Sequence, residues 1–150
     1  MKADTLLPHV MVVDDDDDDV VLLTRQLKSA GIKNPVLHFR NGGDAFMYLK
    51  QFCPPASART PRPVVMFLDV NMQGLSGFDV LVWARQQAAL EHMKIFMLSG
   101  ANEMWDAQIA AKLGADHYLE KFPDPADLRG LLSPVCTVSA PTAAGWTTQL

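Results

Sequence analysis

The stretch VVMFLDVNMQGLSGFDVL, residues 64–81, contains a strand that ends on an aspartate, a loop and the opening of a helix. Its first five residues, VVMFL (64–68), are of strand length and apolar throughout. That pattern is expected of a strand covered on both faces in a parallel sheet. Asp69 follows at once, and an unpaired carboxylate at a buried strand end is costly. From about residue 77 to 88 a helical period takes over, with Phe78, Leu81, Ala84 and Ala88 on one face.

The same unit recurs on both sides. Further strands are predicted at HVMVV (9–13), PVLHF (35–39), KIFML (94–98) and DHYLE (116–120). The spacing predicts a helix from about 17 to 30, burying Val20, Leu23, Leu27 and Ala30 and stopped by Gly31. Another spans roughly 43–52 with Ala45, Phe46 and Leu49 inward, and a third spans 103–113 with Ala107, Ala110 and Leu113 inward and Gly114 beyond. A short last helix, 124–132, opens with Asp-Pro. Five βα units predict an α/β fold: an open, doubly wound, five-stranded parallel sheet with five helices and right-handed crossovers. Such sheets carry their site in the crevice at the carboxyl ends of the strands.

The remaining composition narrows the class. At 150 residues, 49% hydrophobic and 20% charged, the chain suits one globular domain. A formal net charge of −4 and the lack of any Lys/Arg stripe argue against nucleic acid as a partner. No apolar run has membrane-spanning length, and the start has no secretory h-region, so no membrane association and a cytoplasmic location are expected. Cys53 and Cys136 lack metal-type spacing and read as incidental reduced thiols. His9, His38, His92 and His117 are scattered and read as structural or exposed. We expect an N-terminal extension over 1–7, the domain over 8–132, and a flexible tail over 133–150 in which Trp146 could dock. CPPASARTPRP (53–63) is a Pro/Ala-rich loop.

The strand ends carry the chemistry. Asp14 and Asp15 end the first strand, Asp69 the third, Ser99 with Gly100 and Ala101 the fourth, and Lys121 the fifth. Crowded carboxylates ionise together only if a cation shares their site. Oxygen ligands of this kind suit Mg2+ (or Mn2+). A phosphoryl group near Asp69 would find the metal on one side, Lys121 on the other, and a hydrogen bond from Ser99. Gly100 would let backbone approach it. Those are the requirements of phosphoryl transfer.

The motifs VVDD, FLDVNMQGLSGFDVL, MLSGA and HYLEK, with 30 residues from Asp69 to Ser99 and 22 from Ser99 to Lys121, resemble the receiver domain of two-component response regulators. The resemblance covers about residues 8–132. It implies a CheY-like, flavodoxin-like sheet in the order 2-1-3-4-5, layered αβα. It implies that Asp69 is the phosphoacceptor, with Ser99 and Lys121 as its catalytic and phosphate-binding companions. Mg2+ would be held by Asp15 and Asp69 side chains, the Asn71 carbonyl, and Asp14 through water. Tyr118, three before the lysine, matches the switch aromatic that responds when Ser99 moves, although an ordinary core role is the plain alternative. Implied partners are a sensor histidine kinase or a histidine phosphotransfer protein, and an output protein of unknown identity. Dimerisation on the face of the fourth and fifth helices is common in the family and is left open here. With only 18 residues after 132, a stand-alone regulator acting by protein contact or phosphorelay is expected, not an enzyme. The 53–63 loop is similar to insertions in receivers that serve phytochrome-type kinases.

Two positions depart from the family pattern. Gln73 stands where proline is usual. The order Lys121-Phe122-Pro123 replaces Lys-Pro, so either Lys121–Phe122 is cis or the loop takes another path. Within VMVVDDDDDDVVLL (10–23), Asp14 and Asp15 are assigned to metal. Asp16 falls at an N-cap, with Asp17–Asp19 in the first helical turn and Asp16/Asp19 spaced as a capping box. Two rivals remain. A haloacid-dehalogenase-type phosphatase would use Asp14-Asp15-Asp16, but needs a later strand and acidic motif. A pseudo-receiver would keep the fold as a docking module without phosphorylation.

Overall fold

The computed structural model describes residues 7–53, 61–100 and 104–139. In chain order the elements are β1 (Val10–Val13), α1 (Asp17–Ser29), β2 (Val36–Phe39), α2 (Gly42–Lys50), β3 (Val65–Asp69) and α3 (Gly77–Arg85). A 3-10 turn (Ala88–Leu90) leads to β4 (Lys94–Ser99), α4 (Met104–Leu113), β5 (His117–Glu120) and α5 (Pro125–Leu132). The strands form one parallel sheet in the order β2-β1-β3-β4-β5. This is the expected doubly wound, flavodoxin-like architecture.

Period-two alternation divides the strands between two cores. Met11, Val13, Met66, Leu68, Ile95 and Met97 face α2, α3 and α4. Val10, Val12, Val65, Phe67, Phe96 and Leu98 face α1 and α5. Because both faces are covered, the central strands are buried at every apolar position, which is why VVMFL shows no alternation. The anticipated helix faces hold for Val20, Leu23, Leu27, Ala30, Ala45, Leu49, Leu81, Ala84 and Ala110.

Helix ends follow local chemistry. Gly31 (φ 84°) closes α1 in a Schellman motif, its N–H donating to Lys28 O and that of Ile32 to Leu27 O. Gly114 (φ 105°) does the same for α4, through Ala111 O and Ala110 O. The helix anticipated over 77–88 stops at Arg85, because Gln87 turns extended (φ −99°, ψ 114°). Leu90 is then the buried residue, and Ala88 is exposed.

The stretch expected to be a flexible tail from 133 is part of the fold as far as Ser139. Ile32 and Val138 form an antiparallel bridge, with Lys33 N donating to Thr137 O and Ser139 N to Gly31 O. Arg129 donates to Ala30 O and Ser139 O, and Cys136 is buried beneath. A backbone pairing of this kind has no side-chain period, so the sequence pattern did not announce it. Residues 140–150, with Trp146, lie outside the described residues, as do 1–6, most of the 53–63 loop, Ala101 and the Trp105 side chain.

Asn34, only 5% exposed, fastens this corner. Its Oδ1 accepts from Thr137 N at 2.7 Å and its Nδ2 donates to Pro8 O at 2.9 Å. Asn34→Ala strands both backbone groups and is expected to cost about 2 kcal/mol. Urea denaturation measures this directly, and an unchanged midpoint would show that solvent replaces the amide without loss.

Candidate functional site

Register brings the strand ends together. Val13 lies beside Leu68, and Asp69 beside Leu98. Asp14 therefore emerges from β1 next to Asp69 on β3. Ser99 closes β4 opposite Glu120, and the N–H of Lys121 donates to Ser99 O at 2.8 Å. Asp14, Asp69 and Ser99 are 2%, 5% and 2% exposed, while Asp15 is open to solvent. One carboxylate oxygen from each of Asp14, Asp15 and Asp69 lies within 4.8 Å of the other two.

The Lys121 ammonium lies in this acidic crevice. It is 2.8 Å from Asp19 Oδ2, 3.0 Å from Asp14 Oδ2 and 3.3 Å from Asp69 Oδ1. The peptide bond Lys121–Phe122 is cis, which resolves the path of this loop. Gln26 Nε2 from α1 donates to Pro123 O at 3.1 Å, fixing the loop beyond it.

Burial opposes charge on Lys121, yet the carboxylates of Asp19, Asp14 and Asp69 outweigh it and hold the ammonium pKa above its ordinary value. Asp69 goes the other way for a carboxyl. Burial first, then the nearby Asp14 carboxylate, push its pKa up to about 6, against Lys121 and the Asn71 N–H. Lys121 is the weaker influence there because its closest hydrogen bonds go to Asp19 and Asp14. At neutral pH Asp69 is still mostly an anion, hence a nucleophile.

The aspartate run divides differently from expectation at one residue. Asp16 is the N-cap of α1, its side chain accepting from Asp18 N at 2.9 Å and Asp19 N at 3.3 Å. The anticipated return bond from Asp19 is replaced. Asp16 N donates instead to Asp14 Oδ1 at 2.9 Å, and the Asp19 carboxylate turns to Lys121. Asp17 pairs with Arg40. His38, expected to be structural or exposed, takes a structural role whose partner the sequence did not show: its Nε2 donates to the backbone carbonyl of Asp14 at 2.9 Å and so steadies the chain there. A polar residue in the last half of an edge strand beside β1 was the available signal.

The loop after Asp69 is held by close contacts. Gly74 has φ 79°, supplying the turn where Gln73 replaces the usual proline. Asn71 is exposed, and its N–H donates to Asp69 Oδ1 at 3.4 Å. Ser76 and Asp79 form a full capping box at the start of α3. A Cβ on Gly77 would fall far inside contact distance of the Asp69 carbonyl oxygen, and one on Gly42 would lie 2.6 Å from Leu75 O. Gly100 is exposed, with open space beside it among the described residues. Tyr118 on β5 lies beside Met97, half-buried against the core under α2, α3 and α4.

Three carboxylates offering oxygens at this separation, two of them buried, match what a hard divalent cation requires, and the Lys121 ammonium alone does not balance their charge. The donor set fits Mg2+ or Mn2+.

Residues 10–133 match the response regulator receiver domain family. Protein PilH of Pseudomonas aeruginosa is 28% identical over 131 residues, covering 87% of this chain and 97% of PilH. The DNA-binding response regulator MtrA of Mycobacterium tuberculosis is 30% identical over 125 residues, which is 83% of this chain and 49% of MtrA. The chain thus spans about half the length of such DNA-binding relatives. The Mn(2+)-bound form of response regulator Rcp1 superposes with a TM-score of 0.68 at 25% identity, over 89% of this chain and 99% of Rcp1. The bacteriophytochrome response regulator AtBRR shares the fold at a TM-score of 0.72 and 23% identity, over 85% and 91% of the two chains. Among the described residues no helix is long and apolar enough to cross a membrane.

Proposed function

The chain belongs to the response regulator receiver domain family, and from that membership we propose that it takes a phosphoryl group onto Asp69 from a sensor histidine kinase or a histidine phosphotransfer protein. The observation that carries this is the meeting of the Asp14, Asp15 and Asp69 oxygens within 4.8 Å, with the Lys121 ammonium among them. The side chains of Asp15 and Asp69, the Asn71 carbonyl and Asp14 through water would hold Mg2+ or Mn2+, which would supply positive charge to the phosphoryl oxygens.

An Asp69 oxygen attacks phosphorus as the N–P bond to the donor histidine breaks. The electron pair of that bond stays on the imidazole nitrogen, which takes a proton from water. The Asp69 carboxylate loses its charge on becoming an acyl phosphate, the phosphoryl group brings its own negative charge into the crevice, and the Lys121 N–H that faced Asp69 faces one of the phosphoryl oxygens instead. The Ser99 hydroxyl, on the adjoining strand, donates to another, and the Gly100 backbone has room to approach. The acyl phosphate then biases a two-state equilibrium that Ser99 and Tyr118 relay toward α4, β5 and α5. Output is a protein contact or onward transfer to a histidine, with self-association on that face as one form of contact. The likeness to phytochrome-associated regulators supports a phytochrome-type kinase as donor. In this role the chain is a phosphoacceptor rather than an enzyme acting on a separate substrate, at work in the cytoplasm.

Incubation with acetyl phosphate, followed by intact mass, tests the proposal. A single phosphoryl adduct that needs Mg2+ and is lost in Asp69→Asn is expected. No adduct from acetyl phosphate or from any candidate kinase would leave a pseudo-receiver. Steady hydrolysis of a phosphomonoester that depends on Asp14 and survives Asp69→Asn would favour the phosphatase reading.

A further inference from the structure

Lys121 has three N–H donors, and each has a carboxylate within reach. Asp19 is the closest at 2.8 Å, then Asp14 at 3.0 Å and Asp69 at 3.3 Å. Two of these, Asp14 and Asp69, are also among the three side chains suited to a divalent cation. Ammonium and metal therefore draw on the same two carboxylates, and each weakens the hold of the other. Asp19 is outside that trio. It sits in the first turn of α1, where its carboxylate is not used in capping.

The placement is built on both sides of the lysine loop. Asp19 and Gln26 are two turns apart on α1 and share a face. Asp19 holds the Lys121 ammonium, and Gln26 holds the carbonyl of Pro123. Helix α1 thus grips the segment 121–123 at both ends.

We propose that Asp19 is a positioning residue that shares the Lys121 ammonium with Asp14 and Asp69 and so weakens its hold on them, letting a divalent cation take their oxygens before phosphoryl transfer. This rests on the phosphoacceptor reading above. Without the Asp19 carboxylate, the buried ammonium retains, among the described residues, only Asp14 and Asp69 as anionic partners. It binds them more firmly, and the metal must displace it.

The test is a Mn2+ titration of the unphosphorylated protein, followed by water-proton relaxation. Asp19→Asn removes the carboxylate at constant size. Asp18→Asn removes the same charge from an exposed neighbour in the same turn, and so measures the long-range field alone. We expect Mn2+ affinity to fall about tenfold in Asp19→Asn and no more than about twofold in Asp18→Asn. Asp19→Glu, which keeps a carboxylate, is expected to stay within about twofold of the parent. In a Lys121→Met background, the Asp19→Asn effect is expected to shrink to that of Asp18→Asn. Equal losses in Asp19→Asn and Asp18→Asn overturn the proposal, as does a full Asp19→Asn loss in the absence of Lys121. If the parent protein binds no Mn2+, the phosphoacceptor reading fails and this one with it. If it binds Mn2+ and is phosphorylated while the two asparagine variants behave alike, only the role of Asp19 is lost. Thermal unfolding of each variant confirms that folded protein is being titrated.

Discussion

Lys121→Met is expected to destabilise the metal-free protein by about 3 kcal/mol at neutral pH. Asp14 and Asp69 are 2% and 5% exposed, and Lys121 is the cation bonded to both. Removing it leaves adjacent buried carboxylates with no compensating charge among the described residues, the costly way to break such a pair. The effect has a definite pH dependence. Even with the ammonium present, burial and Asp14 hold the Asp69 pKa at about 6, above the unfolded carboxyl value of about 3.9. Loss of the ammonium raises it further. A carboxyl with a raised folded pKa binds its proton more readily folded than unfolded, so stability falls as pH rises between the two values. The deficit of the variant is therefore complete above the folded pKa and fades as pH drops toward 4. On the proposed metal role Mg2+ should restore part of it, because a cation held only by the folded crevice stabilises the folded state. Urea denaturation at pH 5 and pH 8, with and without Mg2+, measures all three effects. Equal stabilities of parent and variant at pH 8 would mean that solvent, not Lys121, neutralises the crevice.

Gly77→Ala is the second large effect. The first residue of α3 sits against the carbonyl oxygen of Asp69, and an added methyl would meet backbone on one side and the Met97 side chain at 3.2 Å on the other. Backbone at the end of β3 cannot swing away as a flexible side chain can, so α3 or Asp69 must shift. A loss of about 3 kcal/mol is expected, at the upper end for overpacking. A surviving folded fraction should accept phosphoryl groups more slowly, since a misplacement of about 1 Å near a reacting atom costs about a hundredfold. Thermal unfolding and the rate of adduct formation from acetyl phosphate read the two effects separately. Parent-like values for both would show that the Asp69 loop yields freely.

The fold was legible because a covered parallel sheet leaves a plain mark: short apolar runs, unbroken in the central strands, each followed by a helical period, with Gly31 and Gly114 marking two of the helix ends. The crevice was legible for the same reason, since every such run ends on the same side of the sheet. Asp14, Asp15 and Asp69 converge because register aligns β1 with β3. What sequence could not reveal was how side chains choose between two good partners. Asp19 had a sufficient local explanation in the first turn of α1, and its bond to a lysine 102 residues away became visible only in three dimensions. His38 was hidden likewise, because a histidine that donates to a backbone carbonyl has no motif. The stretch 133–139 was misjudged because its anchorage is made by main-chain groups and the Asn34 amide.

That same amide makes the polypeptide nearly a closed ring. One side chain spans Pro8 and Thr137, so the two ends of the described fold meet at the amino edge of the sheet, roughly 13 Å of strand away from Asp69. Splicing them through a few residues and cutting the backbone elsewhere gives a circular permutant whose crevice chemistry is untouched by the new connection. A fluorescent reporter could enter at such a cut while the seam stays clear of the phosphoryl donor.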